Sequence, residues 1–140
     1  MEVIKTKIAD LFIIKPKVFE DSRGYFFESY NQNKFQEHGL EYTFVQDNES
    51  FSSYGTIRGL HYQLAPHAQS KLIRVISGKI LDVAVDIRKD SPTYGEWEAT
   101  ELSEDNKLQL LVPKGFAHGF SVLSEKAVVF YKCDSFYHPE

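Results

Sequence analysis

The segment "RGLHYQ", residues 58–63, sets Arg58, His61 and Tyr62 within five consecutive positions, and "SKLIRV" brings in Lys71 shortly after them. A histidine with a reference pKa of about 6.5 accepts a proton at neutral pH, and a tyrosine near 10 can return one. With an ammonium and a guanidinium added, this is a set for removing a proton from a carbon beside a carbonyl. Such a carbon acid is far weaker than imidazolium. A cation fixed beside the carbonyl oxygen must therefore stabilise the enolate. Lys71 suits that position, His61 suits the base, and Tyr62 or Tyr131 of "VVFYKCD" the donor. Arg58, and Arg23 of "DSRGYF", remain to grip phosphate oxygens through paired hydrogen bonds.

Each residue also has an ordinary reading. Tyr131 can be a plain strand aromatic, Arg23 a turn arginine, and Arg58 and Lys71 solvated ion-pair partners that contribute little. His38 and His138 read as surface groups, and His67 in "LAPHAQS" divides evenly between surface and function. His61 and His118 stand apart because each lies in or beside a strand pattern. "VPKGFAHGF" holds Pro113, Gly115 and His118 in the pattern P-x-G-x-x-H, which resembles the second motif of the cupin superfamily, where that histidine is often a metal ligand. A metal cupin would also offer His-x-His and a glutamate. Here His61-x-Gln63 has no second histidine, and Lys71 stands where a carboxylate would help; an ammonium cannot ligate and repels a cation. The expectation is no metal and no cofactor. The rival is a metal-dependent dioxygenase using His61, His67 and His118.

The elements that must carry these residues read as short strands between turn signals. "LFIIKPKVF" and "GYFFESY" flank the turn "EDSRG", and Pro16 makes the first an edge or arm. The one helical stretch is "NQNKFQEHGL", capped by Asn31 or Asn33 and ended by Gly39. "KLIRVIS" and "ILDVAVDI" are expected to form a hairpin at Ser77-Gly78. In the second of these, Asp82, Ala84 and Asp86 share one face; Leu81, Val83, Val85 and Ile87 share the other, expected to be the packed one. Eight or nine strands and at most one or two short helices predict an all-β sandwich or barrel, with a jelly roll favoured.

At 140 residues the chain is expected to form one domain, residues 1–140, without stapling. A formal charge of -4 gives no field to gather nucleic acid or an anionic membrane, and the N-terminus lacks a long apolar run. The single cysteine, Cys133, fits a reducing compartment, so the expected location is the cytoplasm.

Together "PKVFEDSRGYFFESYN", "FVQDNESFS", "IRGLHYQ", "KLIRVISGKILDVAVDIRKDSPTYGEW", "LVPKGFAHGFSVLSE" and "YKCDSFYHPE" resemble the dTDP-4-dehydrorhamnose 3,5-epimerase family, metal-independent cupins of dTDP-L-rhamnose biosynthesis. The resemblance implies that His61 is the base, Tyr131 the donor on the opposite sugar face, and Lys71 the cation near the ketone. It implies nucleotide-sugar contacts from Arg23, Glu28, Gln46, Asn48, Arg58 and His118, Tyr137 near the nucleobase, and Asp82 facing the cavity, placed to orient a histidine. It also implies a homodimer in which residues 1–30 form an arm crossing to the neighbouring subunit's site. The expected substrate is dTDP-4-dehydro-6-deoxy-D-glucose, inverted at C3 and C5. A single-position epimerase and a catalytically impaired binding dimer are the alternatives. Family sequences continue beyond "YHPE" with an aspartate that orients the base histidine, so the expectation is a truncated or natural short form.

Overall fold

The computed structural model describes residues 1–138; Pro139 and Glu140, the end of the "FYHPE" string, lie outside the described residues. Twelve strands and one helix follow in order: β1 (Glu2–Lys5), β2 (Phe12–Lys15), β3 (Val18–Asp21), β4 (Gly24–Phe27), α1 (Gln32–Glu37), β5 (Gln46–Ser53), β6 (Ile57–His61), β7 (Lys71–Ser77), β8 (Lys79–Asp86), β9 (Trp97–Ser103), β10 (Gln109–Val112), β11 (Phe116–Val122) and β12 (Lys126–Cys133). They form a six-stranded sheet in the order β1-β2-β10-β7-β12-β5, a four-stranded sheet in the order β6-β11-β8-β9, and a separate β3-β4 hairpin. The pairing is antiparallel throughout. This is the all-β, jelly-roll architecture expected of a cupin.

Alternation with period two builds the interior. Ile73 and Val75 of β7, Val129 of β12, Ile80 and Ala84 of β8, and Phe116 and Phe120 of β11 meet between the two sheets. A second cluster lies where α1 covers the large sheet, with Phe35 packed on Leu72, Leu111 and Ile14. The helix is local chemistry: Asn31 Oδ1 accepts the Lys34 N–H at 3.2 Å, and Gly39 ends it at φ 76°. Pro16 separates β2 from the β3-β4 hairpin, whose turn is made by Gly24 at φ 136°.

Three expectations are corrected. The stretch before Pro16 is not an edge, because β1 and β10 pair with the two sides of β2; only the part after Pro16, β3, lies outside the large sheet. Ser77-Gly78 does not close a hairpin. It carries the chain from the large sheet to the small one, because β10 and β12 occupy both hydrogen-bonding edges of β7 and leave none for β8. A side chain at Gly78, φ 89°, would collide with the Lys126 carbonyl, so the crossing is as tight as glycine allows. The two faces of β8 are also exchanged: Asp82 and Asp86 point inward with no exposed surface, while Leu81, Val83 and Val85 stay partly exposed. Buried carboxylates persist only when partnered. Asp86 has Arg88, Ser91 and Thr93; Asp82 has His118.

Candidate active site

Between the ends of the sheets lies a cleft of about 610 Å³, lined among others by His61, Lys71, Phe116, Tyr131 and Tyr137. Antiparallel register places them. His61 ends β6 opposite His118 of β11; His61 is exposed to the cleft, whereas His118 is buried. On the facing sheet Lys71 begins β7 opposite Cys133, and Tyr131 lies two residues before that cysteine on the same face of β12. The Lys71 ammonium sits 5.5 Å from the Tyr131 ring centroid. One wall thus carries the imidazole, the other the ammonium and the phenol.

Burial sets the charge states. Desolvation lowers the Lys71 pKa below its usual 10.5, opposed by Cys133 and Asp82. Desolvation raises the Tyr131 phenol above 10.0, with Cys133 adding to the rise and Asn48 and Arg58 opposing it. The Cys133 thiol is pushed up to about 11, chiefly by burial, so it stays protonated. A phenol that resists ionisation is a proton donor in waiting.

The edge strand β5 adds a polar ladder. Gln46 Nε2 donates to Asn48 Oδ1 at 3.1 Å, Asn48 stands opposite Tyr131, and Gln46 Oε1 accepts the Tyr137 N–H at 3.1 Å. Arg58 reaches from β6 to this strand, donating from Nε to Ser52 Oγ at 2.7 Å and from Nη2 to the Phe51 carbonyl at 3.2 Å. At the mouth the His67 and His138 rings stack with centroids 3.5 Å apart. Gln63 holds both segments, donating to the His67 carbonyl and accepting the His138 N–H.

The chain matches the family model for dTDP-4-dehydrorhamnose 3,5-epimerase over residues 5–140. It is 57% identical to dTDP-4-dehydrorhamnose 3,5-epimerase of Shigella flexneri, the alignment covering 98% of this chain and 76% of the relative. The enzyme of that name from Bacillus anthracis, solved with TDP and PPi bound, superposes with a TM-score of 0.96 at 52% identity, over 99% of this chain and 79% of that one. dTDP-6-deoxy-D-glucose-3,5-epimerase of Legionella pneumophila, solved in complex with dTDP-4-keto-L-rhamnose, gives 0.94 at 50% identity, over 99% and 73%.

The chain belongs to the dTDP-4-dehydrorhamnose 3,5-epimerase family.

Against the residues expected of a dTDP-4-dehydrorhamnose 3,5-epimerase, the fold gathers His61, Lys71, Tyr131 and Tyr137 at one cleft; Gln46 and Asn48 of β5 neighbour its Tyr137 and Tyr131, and Arg58 turns onto β5, these three lying outside the residues that line the cleft. Arg23 and Glu28 lie elsewhere. Arg23 is on the exposed β3-β4 turn, paired with Asp21 at 2.7 Å, and Glu28 is paired with Lys34 at 2.6 Å. His118 stands behind His61 with its Nε2 2.7 Å from Asp82 Oδ1. Among the described residues no three His, Cys, Asp or Glu side chains form a metal-holding group. Sequence reasoning missed Phe116, Gln63 and Gln69, which also line the cleft. Gln63 has the parity of His61 in "LHYQ", which was the available signal; Phe116 was hidden inside a motif read for its proline, glycine and histidine.

Proposed function

We infer that the chain is a dTDP-4-dehydrorhamnose 3,5-epimerase of dTDP-rhamnose biosynthesis, acting on dTDP-4-dehydro-6-deoxy-D-glucose. The observation that carries this reading is the placement of His61 across one cleft from Lys71 and Tyr131. His61 removes the C–H proton next to the C4 ketone. The electron pair moves into the ring C–C bond and onto O4, where the Lys71 ammonium stabilises it. Tyr131 O–H then delivers a proton to the other face of the same carbon, and the configuration inverts. Once His61 has released its proton to solvent and Tyr131 has taken one up, repetition at the second carbon gives dTDP-4-dehydro-L-rhamnose. The side chains supply base, cation and acid, so the scheme needs no metal or cofactor.

Tyr137 lines the cleft and is assigned to the nucleobase, with Gln46, Asn48 and Arg58 assigned to the nucleotide sugar beside it and Arg58 to diphosphate oxygens. His118, oriented by Asp82, backs the sugar subsite.

The working unit is a homodimer that exchanges its N-terminal arms. The β3-β4 hairpin pairs with neither large sheet, and it exposes Phe19, Tyr25 and Phe26. The free edges β5 and β6 expose Phe51, Ile57 and Leu60. An apolar arm and apolar open edges on one chain suit exchange between two copies. Arg23 and Glu28 then reach the neighbouring site. No described helix is long and apolar enough to cross a membrane, and the lone reduced Cys133 fits the proposed cytoplasmic location. Nuclear magnetic resonance of the product tests the reading: inverted C3 and C5 support it, and a sugar inverted at one carbon makes the chain a single-position epimerase instead.

A further inference from the structure

Behind the cleft, on the far side of its Gly115–Phe116 wall, Arg88 joins three separate parts of the chain. Its Nε donates to Asp86 Oδ1 at 3.0 Å and its Nη2 to Asp86 Oδ2 at 2.9 Å, a two-pronged grip on a carboxylate with no exposed surface. Nη2 also reaches the Ala9 carbonyl at 2.9 Å and Ser91 Oγ at 3.2 Å, while Nη1 donates to Asp10 Oδ2 at 2.8 Å. The guanidinium carbon lies 4.8 Å from the centroid of the Phe116 ring. The aliphatic stem fills the space where a Cβ on Gly115 would stand, so the turn is seated directly on it. The Ile87 N–H, one residue earlier, donates to the Gly115 carbonyl at 3.0 Å.

None of these atoms needs to touch substrate, yet Gly115 and Phe116 both line the cleft and His118 follows two residues later. The fork leaves the guanidinium no freedom to rotate away, because Asp86 is fixed from the other side by Ser91 and Thr93. Ala9 and Asp10 precede β2, the strand that leads into the β3-β4 hairpin. Arg88 therefore locks the wall of its own cleft to the segment before β2.

We propose that Arg88 is a positioning residue: through the Gly115–Phe116 wall it sets where the sugar ring rests against His61, and so whether both ring carbons are presented in turn. The proposal rests on the epimerase reading. Displacement of a reacting centre by about 1 Å costs on the order of a hundredfold in rate without a matching loss of binding. A ring held loosely is expected to leave after one exchange more often than a ring held firmly.

The test is solvent labelling in D2O with dTDP-4-dehydro-6-deoxy-D-glucose, scoring singly against doubly deuterated product, together with kcat, KM and thermal melting. Arg88→Ala is expected to lower kcat about tenfold or more with KM within about twofold, and to raise the singly labelled fraction. Arg88→Lys is expected not to restore the wild-type ratio, since one ammonium cannot serve Asp86, Asp10 and the Ala9 carbonyl together. Ethylguanidinium added to Arg88→Ala is expected to recover part of kcat. If Arg88→Ala does not fold, Asp10→Gly, which suits the φ of 69° there and removes an exposed carboxylate, must shift the label ratio the same way. A lower melting temperature with unchanged kcat and label ratio in the folded variants overturns the proposal. Absence of label from the wild-type enzyme would instead remove the epimerase reading on which it stands.

Discussion

His118 Nε2 lies 2.7 Å from Asp82 Oδ1, and the carboxylate is wholly enclosed with its second oxygen unpartnered among the described residues. A carboxylate so placed fixes the tautomer of His118, with the proton on Nε2, and keeps a negative charge in the barrel. That charge also supports the Lys71 ammonium across the cavity. Asp82→Asn keeps an acceptor for His118 but removes the charge, so the Lys71 pKa falls further below 10.5. The alkaline limb of the kcat profile is expected to move to lower pH than in the wild type. An unmoved limb would separate Asp82 from Lys71.

Lys71 links activity and stability with opposite signs. Its folded pKa is below its unfolded value, so between the two the unfolded chain holds more protons and stability rises with pH. Tyr131, raised above 10.0, and Cys133, raised to about 11, run the other way, losing stability as pH rises above their unfolded values, but both are present in the wild type and in a Lys71 variant and so drop out of the difference between them. Lys71→Met is expected to be more stable than the wild type at pH about 8, with the margin shrinking toward pH 10, and to lose on the order of a hundredfold in kcat. Melting curves at both pH values, with kinetics at neutral pH, check the pair of effects. A margin that grows with pH would contradict the assignment of Lys71 as a buried cation.

Tyr131→Phe keeps the ring beneath the Lys71 ammonium and removes only the donor. His61 can still take a proton and return it to the same face. The expected result is exchange of the substrate proton with solvent, configuration retained, and inverted product reduced by about a hundredfold or more. Chiral analysis of recovered labelled substrate distinguishes this from loss of the base.

The proposed arm exchange makes a complementation prediction. Arg23→Ala weakens the neighbour's site and His61→Asn disables its own. In a mixed dimer, one cleft has an intact His61 and receives an intact Arg23 from the other chain. Coexpression of the two variants is expected to leave about a quarter of the sites fully intact on random pairing, with activity above that of an equal mixture of the two variants expressed apart. No recovery despite mixed dimers would place Arg23 in the site of its own chain.

Much of the fold was legible because the determinants were local. Asn31 caps α1 and Gly39 ends it within a single stretch, and "EDSRG" makes the β3-β4 turn. His61, Lys71 and Tyr131 were singled out by residue type and by the family resemblance, and the fold brings the three to one cleft. What failed was non-local. Ser77-Gly78 looks like a hairpin turn until β10 and β12, far along the chain, take both edges of β7. The alternation in β8 separates its two faces, but it cannot say which points inward. The answer depends on Arg88, Ser91 and Thr93 for Asp86, and on His118 for Asp82. The part played by Arg88 was hidden for the same reason, since Asp10 and Phe116 reach it only in the folded chain.

The central claim is that His61 is the base for both carbons. It is tested by mass spectrometry of dTDP-4-dehydro-6-deoxy-D-glucose after incubation in D2O with EDTA, comparing the wild type with His61→Asn. The account predicts two deuteriums from the wild type and none from the variant, while dTDP still protects both from thermal unfolding. Labelling by His61→Asn at the wild-type rate would contradict it.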